Sequence, residues 1–402
     1  VLSTTVIVVS YRPGAWLRGC LGSVTEQADE VILVDNGSVG HEAGEIGASV
    51  GVRVHRLATN TGFVGGVNAG LRLADTEVVA LLNDDAVAGA GWIDASCAAL
   101  DDPSVSAVGP KIVFADQYAE LRLDDGPTWV PPDHRSFGTM IKTATVGGRD
   151  VLDLTIGGLY PFETRDGERW RWTNGYDPVY VPIAEGDGLD DIRVNGQQVE
   201  ASWEGDVINN AGTFLQRSGH CGDHGFETAD RGGFDTRAER FGVTGAAMVA
   251  RKATFDDLGG MASDFFAYYE DSDWSWRARL AGYRNIYEPA GTVRHRRSAT
   301  TADLGQTFGL RLAQRNRLLM LVRNAPLPVA LHQVRKARTD PDQQVSARSL
   351  LRHAPGALAW RLRPPRRSAT ALRRVFDEWA GRDTGWGLSS QVHPTNTGSD
   401  QS

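Results

Sequence analysis

Long apolar runs are missing from this chain, and so is any overall surplus of positive charge. No stretch reaches the ~20 consecutive apolar residues that a membrane-spanning helix needs, so membrane contact, where it occurs, is expected to be peripheral. The net charge of −8 leaves no global footprint for nucleic acid. Cysteine is scarce: Cys20, Cys97 and Cys221 stand far apart with no paired spacing, which argues against a disulfide framework and fits a reducing compartment. Two phosphate-binding signatures are also absent. The loop after the first apolar run is Ser10-Tyr11-Arg12-Pro13-Gly14, not a glycine-rich dinucleotide fingerprint, and no Walker loop occurs. Gly62-Phe63-Val64-Gly65-Gly66 is rich in glycine but follows the third apolar run and lacks the required spacing. Dinucleotide-dependent dehydrogenases and P-loop enzymes are thereby set aside. The opening VLSTTVIVVSYRPG has no basic n-region and too short an apolar run for a signal peptide, so it reads as a first β-strand.

What is present suits a globular protein of two or three domains: 402 residues, 41 % of them apolar and 23 % charged. Strands are predicted at Val6–Val9, Val31–Val34, Val52–Leu57 and Val78–Leu82, with helices around Trp16–Gln27 and Val64–Ala74 between them. Strands alternating with helices imply an α/β fold with a mostly parallel sheet and helices on both faces. The unbroken apolar character of the first two strands fits burial on both sides. Ligands bind such sheets outside the carboxyl ends of the strands, and the polar motifs here fall at those ends.

The texture changes from about residue 116 to 205. Short apolar stretches (Val151–Ile156, Val179–Ile183, Ile192–Val194, Val199–Ala201) are divided by Asp166-Gly167, Asn174-Gly175 and Asn195-Gly196, which are hairpin signals, so an inserted all-β module is expected. Trp170, Trp172 and Tyr176 in it could present a sugar-stacking face, although aromatics in a sandwich core are the plainer reading. The α/β texture then resumes, with a strand expected at Gly242–Val249, a helical turn at Thr254–Leu258 and a helix at Asp273–Ala281. Arg311–Arg323 and Ser349–Trp379 read as basic helices broken by Pro355 and Pro364-Pro365, and the polar tail from Leu388 to Ser402 as disordered. The concentration of arginine between Arg311 and Arg374 suggests a partner surface, with anionic lipid headgroups one candidate.

Three clusters could carry chemistry. Asn83-Asp84-Asp85 ends an apolar strand, and clustered oxygen ligands there suit a hard divalent cation such as Mg²⁺ or Mn²⁺; the same residues would also serve as an acidic turn. Asp35-Asn36-Gly37-Ser38 ends another strand, where a carboxylate can accept hydrogen bonds from a base or ribose. Tyr268-Tyr269-Glu270-Asp271-Ser272-Asp273-Trp274 opens a helix whose dipole favours an ionised carboxylate, fit for a general base. His295 follows on another predicted strand. The loop His220-Cys221-Gly222-Asp223-His224 holds metal-capable groups, but its spacing matches no zinc pattern.

In order, these motifs resemble the family 2 glycosyltransferases, particularly their bacterial rhamnosyltransferase-like branch. The resemblance runs through VIVVSYRPGAWLRGCLGSV, VILVDNGS, NTGFVGGVNAGLRLA and VALLNDDAV, and resumes in INNAGTFL, FGVTGAAMVARKATFDDLGGM and FFAYYEDSDWSWRARLAGYRNIYEPAGTVRHRRSAT. It implies a GT-A type nucleotide-sugar fold divided into a nucleotide-binding half (1–115), the β insert (116–205), an acceptor half (206–300), a basic helical extension (301–387) and the tail (388–402). Carried over by position, Ser10, Tyr11, Asp35, Asn60, Gly62, Asn68, Asn83 and Asp84 would bind the donor. Asp85 and His295 would hold Mg²⁺ or Mn²⁺, and Gly245 and Trp274 would face the acceptor. Asn83 departs from a strict Asp-x-Asp at the first position of the metal motif. Asp271, with Glu270 beside it, would be the base of a single displacement with inversion.

The resemblance further implies dTDP-rhamnose or a UDP-hexose as donor and a lipid-linked or polysaccharide acceptor of a bacterial cell envelope. No nucleic acid partner is expected. The expected location is cytoplasmic, with peripheral contact to the inner face of the plasma membrane through the basic helices. The main rival is a non-catalytic carbohydrate-binding or scaffold protein on the same fold, which the retention of Asp85 and Asp271 disfavours. A nucleotidyltransferase lacks support because its glycine-rich, basic entry loop is missing.

Overall fold

A computed structural model describes residues 2–123, 128–129, 135–296, 306–339, 347–362 and 368–382. The tail expected at 388–402 and the break at Pro364-Pro365 lie outside them. Packing divides the chain into two compact units, the first comprising Val1–Ile112, Asn210–His224 and Phe234–Thr384, the second Val113–Asn209 and Gly225–Gly233.

The first unit is built on four parallel strands, β1 (Thr4–Ser10), β2 (Glu30–Asp35), β3 (Arg53–Arg56) and β4 (Val78–Asn83), lying in the order β3-β2-β1-β4. The antiparallel strand Ala247–Arg251 extends the sheet beside β4. Strand alternation sends alternate residues to opposite faces, and two separate cores result. Ile7, Val9, Ile32, Val34, Val79 and Leu81 meet Val64 and Val67 of helix α3 (Gly62–Leu73) on one side. On the other, Val6, Val8, Leu33, Ala80 and Leu82 meet α1 (Leu17–Gly22), α2 (Glu42–Val50) and α4 (Trp92–Leu100). The α/β fold with helices on both faces is the one expected from the sequence.

The glycines of α3 have a packing reason. A Cβ at Gly66 would overlap Val9 and one at Gly70 would overlap Ile7, so only hydrogen lets the helix approach β1 this closely. Helix α1 ends well before the expected Gln27. Beyond it, Ser23 turns its hydroxyl to the Cys20 carbonyl (2.7 Å) and accepts from the Ala88 N–H (3.0 Å), which draws the chain out of the helix. The strand expected at Gly242–Val249 begins only at Ala247, because the N–H groups of Val243 and Gly245 are used by the side chains of Ser275 and Asp271.

Helix α5 (Lys252–Asp257) precedes α6 (Glu270–Leu280), which starts three residues earlier than expected. Its acids sit in the first turn and Arg277 and Arg279 in the last, complementing the helix dipole. The strand Arg284–His295 follows, paired with Ala238–Arg240 and with β5 (Ala86–Ala88). Helices α7 (Gln306–Asn324), α8 (Leu327–Thr339), α9 (Ala347–Arg361) and α10 (Ala369–Trp379) complete the unit. Pro355 does not break α9 as expected but lies inside it. The partner its missing N–H would have served is the carbonyl of Leu351, an exposed residue, where water can replace the lost bond.

The basic stretch is less of a surface than its composition suggests. Arg317 and Arg323 are almost wholly buried. Arg317 donates to the Ser218 carbonyl at 2.7 Å, and Arg323 pairs with Asp264 at 3.0 Å while Asn324 donates to Asp273 of α6 at 2.8 Å. These groups fasten α7 to Ser218, Asp264 and helix α6 instead of facing outward.

The second unit is antiparallel. Its main sheet runs Ile156–Gly157, Val179–Ile183, Gln117–Leu121, Ala201–Gly205, and a second runs Arg149–Asp150, Ala144–Val146, Ile192–Val194, Gln197–Gln198. Asp166-Gly167 and Asn195-Gly196 form two-residue hairpin turns with both residues at positive φ, as the sequence predicts. Asn174-Gly175 does not: the Asn174 side chain accepts from the N–H groups of Tyr176 and Asp177, making a local turn between strands that do not pair with each other. Val151–Ile156, expected as a strand, contains the 3-10 turn Leu152–Leu154, and the strand expected at Val199–Ala201 starts only at Ala201. Trp172 packs edge-on against Phe137 while Tyr176 is exposed, so the aromatics do not line up as one stacking face.

Candidate active site

Parallel register brings the strand-end motifs level with one another. Ser10 pairs with Asp35, and Val9 with Asn83, so β1, β2 and β4 present their polar residues at one edge of the sheet. Ser10 and Asp35 are buried there. The Asp35 carboxylate accepts from the Ser38 N–H at 3.0 Å and lies 3.5 Å from Arg56, while the Arg12 guanidinium rests over the Tyr11 ring. Asn60 accepts from the Gly62 N–H at 2.8 Å, opening α3, and Asn36 bridges the two loops by donating to Asn60 and to the Gly62 carbonyl. Gly62 has φ +76°, and a Cβ there would strike the Phe266 carbonyl.

Two expected ligand contacts are instead structural. Both ends of the Asn68 amide are used by Met261, one donating to its carbonyl at 2.9 Å and the other accepting from its N–H at 3.0 Å. Trp274 is fully buried with its ring against Phe255 at 4.7 Å between centroids, so it faces the core and not an acceptor. The sequence marks it as polar-flanked and three residues from Asp271, but its ring is taken up by the core.

At the end of β4, His295 Nε2 lies 3.2 Å from Asp85 Oδ1 and 3.2 Å from the Asn83 amide nitrogen. Antiparallel pairing of Arg284–His295 with β5, which aligns His295 with Ala86, delivers the histidine. Two ligands bound at ~2.1 Å and at right angles to each other lie about 3 Å apart, so Asp85 and His295 have the spacing of neighbouring ligands of one ion. Among the described residues no group of three or more His, Cys, Asp or Glu side chains could hold a metal. A cation here would draw its remaining ligands from water and from a bound phosphate. Asp84 beside them is pushed up to about 6 by burial first, then by the Asp85 charge, with the Ser10 hydroxyl and His295 opposing.

The second group sits at the start of α6. Tyr268 and Tyr269 both adopt φ +69°, a left-handed conformation that costs non-glycine residues energy. Asn316 of α7 holds this turn by donating to the Ala267 carbonyl at 2.7 Å and the Tyr268 carbonyl at 2.8 Å. The turn delivers Asp271, whose carboxylate accepts from the Gly245 N–H at 2.9 Å and from the Ser272 N–H at 2.6 Å. Glu270 is buried, its Oε2 has no hydrogen-bond partner among the described residues, and burial followed by the Asp271 charge pushes its pKa up to about 8. Its surroundings therefore favour the protonated form. The two groups are joined through one short loop: the Ala246 carbonyl accepts from the Asn83 N–H at 2.9 Å, and the N–H of Gly245 beside it holds Asp271.

The hairpin of Thr213–Leu215 and Cys221–Asp223 adds a residue that sequence reasoning left without a role. Asp223 is pushed up to about 7 by burial, then by the charge of Asp271, with Asn210 and His295 opposing. The neighbouring histidines are not metal ligands. His220 shares a proton with Ser218 and is depressed to about 3 by burial and by Arg317 and Lys336, and the His224 ring stands edge-on to Phe214.

Residues 5–143 match the family model "Glycosyl transferase family 2". That stretch is similar to the family 2 glycosyltransferases, and the chain is a glycosyltransferase. The chain is 24 % identical over 309 residues to the N-acetylglucosaminyl-diphospho-decaprenol L-rhamnosyltransferase of Mycobacterium tuberculosis, covering 74 % of this chain and 76 % of that protein. An uncharacterized protein, y4gI, of Sinorhizobium fredii is 24 % identical over 293 residues, 71 % of this chain and 23 % of its own length. Among solved structures, this glycosyltransferase overlaps GalNAc-T7 with UDP, GalNAc and Mn²⁺ at a TM-score of 0.49 and 12 % identity, over 94 % of this chain and 54 % of that one. It overlaps the mannosyltransferase PcManGT of Pyrobaculum calidifontis with GDP-Man and Mn²⁺ at 0.41 and 15 %, over 94 % and 85 %.

Proposed function

We propose that this glycosyltransferase moves a hexose or deoxyhexose from a nucleoside-diphosphate donor to a hydroxyl of a lipid-linked or polysaccharide acceptor, with inversion at the anomeric carbon. The observation that carries this is the linkage, through Asn83, Ala246 and Gly245, of a carboxylate–histidine pair to a separately held carboxylate. Asp85 and His295 would hold a divalent cation, Mg²⁺ or Mn²⁺, which when bound supplies charge stabilisation to the departing diphosphate. Asp35 and Ser10 line the nucleotide end of the site. Asp271 takes the proton of the acceptor hydroxyl as it attacks C1 from the face opposite the diphosphate. The Gly245 N–H fixes the rotamer of that carboxylate, and neutral Glu270 spares it a second adjacent negative charge. A single base, with no carboxylate nucleophile required, supports inversion.

The mycobacterial relative's name supports rhamnose as the sugar and a diphospho-polyprenol as the acceptor. An acceptor of that kind resides in a membrane, and seven of the ten exposed large hydrophobic side chains among the described residues, Leu310, Leu351 and Leu362 among them, belong to α7–α9 and the residue that follows. Such side chains beside exposed arginines suit shallow insertion at an anionic surface. No helix among the described residues is long and apolar enough to cross a membrane.

The test is a panel of nucleotide sugars, including dTDP-rhamnose and UDP-glucose, assayed for binding and transfer with Mn²⁺, Mg²⁺ or EDTA, beside Asp85→Ala. Metal-dependent binding of one donor, lost in the variant, supports the reading and names the sugar. No binding of any donor, with glycan affinity in the protein all the same, would replace it with a carbohydrate-binding role.

A further inference from the structure

Asp223 is a carboxylate to which the proposed chemistry gives no task. It lies on a strand, so its side chain shares a face with that of Cys221 two residues earlier. From that face the Cys221 thiol reaches Ser272, the neighbour of Asp271. Thr213, aligned opposite Asp223, bridges to Gly242, whose Cα packs on Ser275 of α6. The hairpin is thus laid along the first turns of the catalytic helix, with Asp223 at its end.

The carboxylate is held there deliberately. Asn210 Oδ1 accepts from the Gly212 N–H at 2.8 Å, which fixes the amide orientation and turns its nitrogen to Asp223 Oδ1 at 2.6 Å. One oxygen is therefore occupied, and the other has no hydrogen-bond partner in the protein among the described residues. Asp223 is half-buried and keeps accessible surface. It is near enough to feel the charges of both Asp271 and His295. In a single displacement the base marks the acceptor side and the histidine the diphosphate side, and the sugar ring lies between them.

Resting on the transferase reading above, we propose that Asp223 binds a hydroxyl of the transferred sugar and so selects the donor. A carboxyl group that titrates near neutrality can both accept from and donate to a sugar hydroxyl, and a site built around such a bond rejects sugars that lack the hydroxyl.

The experiment compares wild type, Asp223→Asn and Asp223→Ala with dTDP-rhamnose, or with UDP-glucose if that is the donor the wild type uses. Each protein is also tested with donors lacking one sugar hydroxyl and with the nucleoside diphosphate alone. The expected result is a donor KM raised about tenfold or more in Asp223→Ala, with nucleoside diphosphate affinity unchanged. Wild type should suffer the same loss with one particular deoxy donor, which the variant should no longer distinguish from the parent. Asp223→Asn, which preserves shape, separates this from misfolding when its melting temperature matches wild type. Wild-type KM and intact deoxy discrimination in Asp223→Ala would overturn the assignment, as would parallel loss of nucleoside diphosphate binding. A wild type that transfers no sugar would overturn the proposed function first, and this assignment with it.

Discussion

The backbone N–H of Gly245 holds the Asp271 carboxylate at 2.9 Å, so the proposed base is anchored by a loop whose next residue, Ala246, holds the Asn83 N–H of the proposed metal motif. The proposed base and the proposed metal motif are thus held by main-chain groups of one loop, the Gly245 N–H and the Ala246 carbonyl. Asp271→Asn keeps the shape and the Gly245 bond while removing basicity. The expected outcome is a fall in kcat of about 10²–10⁴-fold with donor KM nearly unchanged, read by steady-state transfer assays. Equal loss of donor binding would show instead that Asp271 organises the donor site.

His295→Gln should weaken metal-dependent donor binding without removing it, since Asp85 remains; Asp85→Ala should remove it. Calorimetric titration of donor with and without Mn²⁺ distinguishes the two, and identical behaviour of His295→Gln and wild type would take His295 out of the site.

Asn316→Leu tests the buttress of the left-handed turn. It strips the Ala267 and Tyr268 carbonyls of a shared donor, an unpaired-group cost of about 1–3 kcal/mol. Both a lower denaturation midpoint and a lower kcat are expected, although Asn316 is fully buried on another helix. A loss of stability with kcat intact would mean the turn holds its shape without α7.

Glu270 gives a pH signature. Its folded-state pKa is raised from 4.5 to about 8, by burial and by the charges of Asp271 and Asp273. The native state therefore holds its proton more tightly than the unfolded chain. The resulting stability is complete below about pH 4.5 and is lost as pH rises through about 8. In Glu270→Gln that slope should vanish, so the variant gains on wild type between pH 5 and pH 9 by on the order of 1 kcal/mol or more. Parallel stability curves would contradict a neutral, buried Glu270.

Membrane contact through α7–α9 should be tested by surface substitutions and not by deletion, because Arg317, Arg323 and Asn324 tie α7 into the fold. Leu351→Ser with Leu362→Ser removes exposed apolar side chains only. Reduced co-sedimentation with anionic vesicles and unchanged thermal stability are expected; undiminished binding would discard this surface.

Legibility in the sequence follows how local each feature is. The strands β1, β2 and β4 announce themselves through unbroken apolar runs, and Asp166-Gly167 and Asn195-Gly196 through turn chemistry that needs no distant partner. Helix α6 offered a candidate base from its sequence but hid how deeply it is buried. Glu270 and Asp273 both lie in the interior, Asp273 because Arg277 pairs with it while also donating to the carbonyls of Leu258 and Gly260. The same blindness applies to Asn68 and Trp274, whose motif positions suggested ligand contact while long-range packing uses them internally. Asp223 could not be singled out, since only the hairpin and Asn210 show where its carboxylate stands.

The hold of Asn316 on the Tyr268-Tyr269 turn also bears on how such enzymes can be recombined. A chimera that joins residues up to 296 of this chain to a foreign C-terminal region would keep every motif residue and lose the clamp on the catalytic turn. The segment that must travel together is discontinuous, α6 with α7, and crossovers placed by motif alone would cut through it.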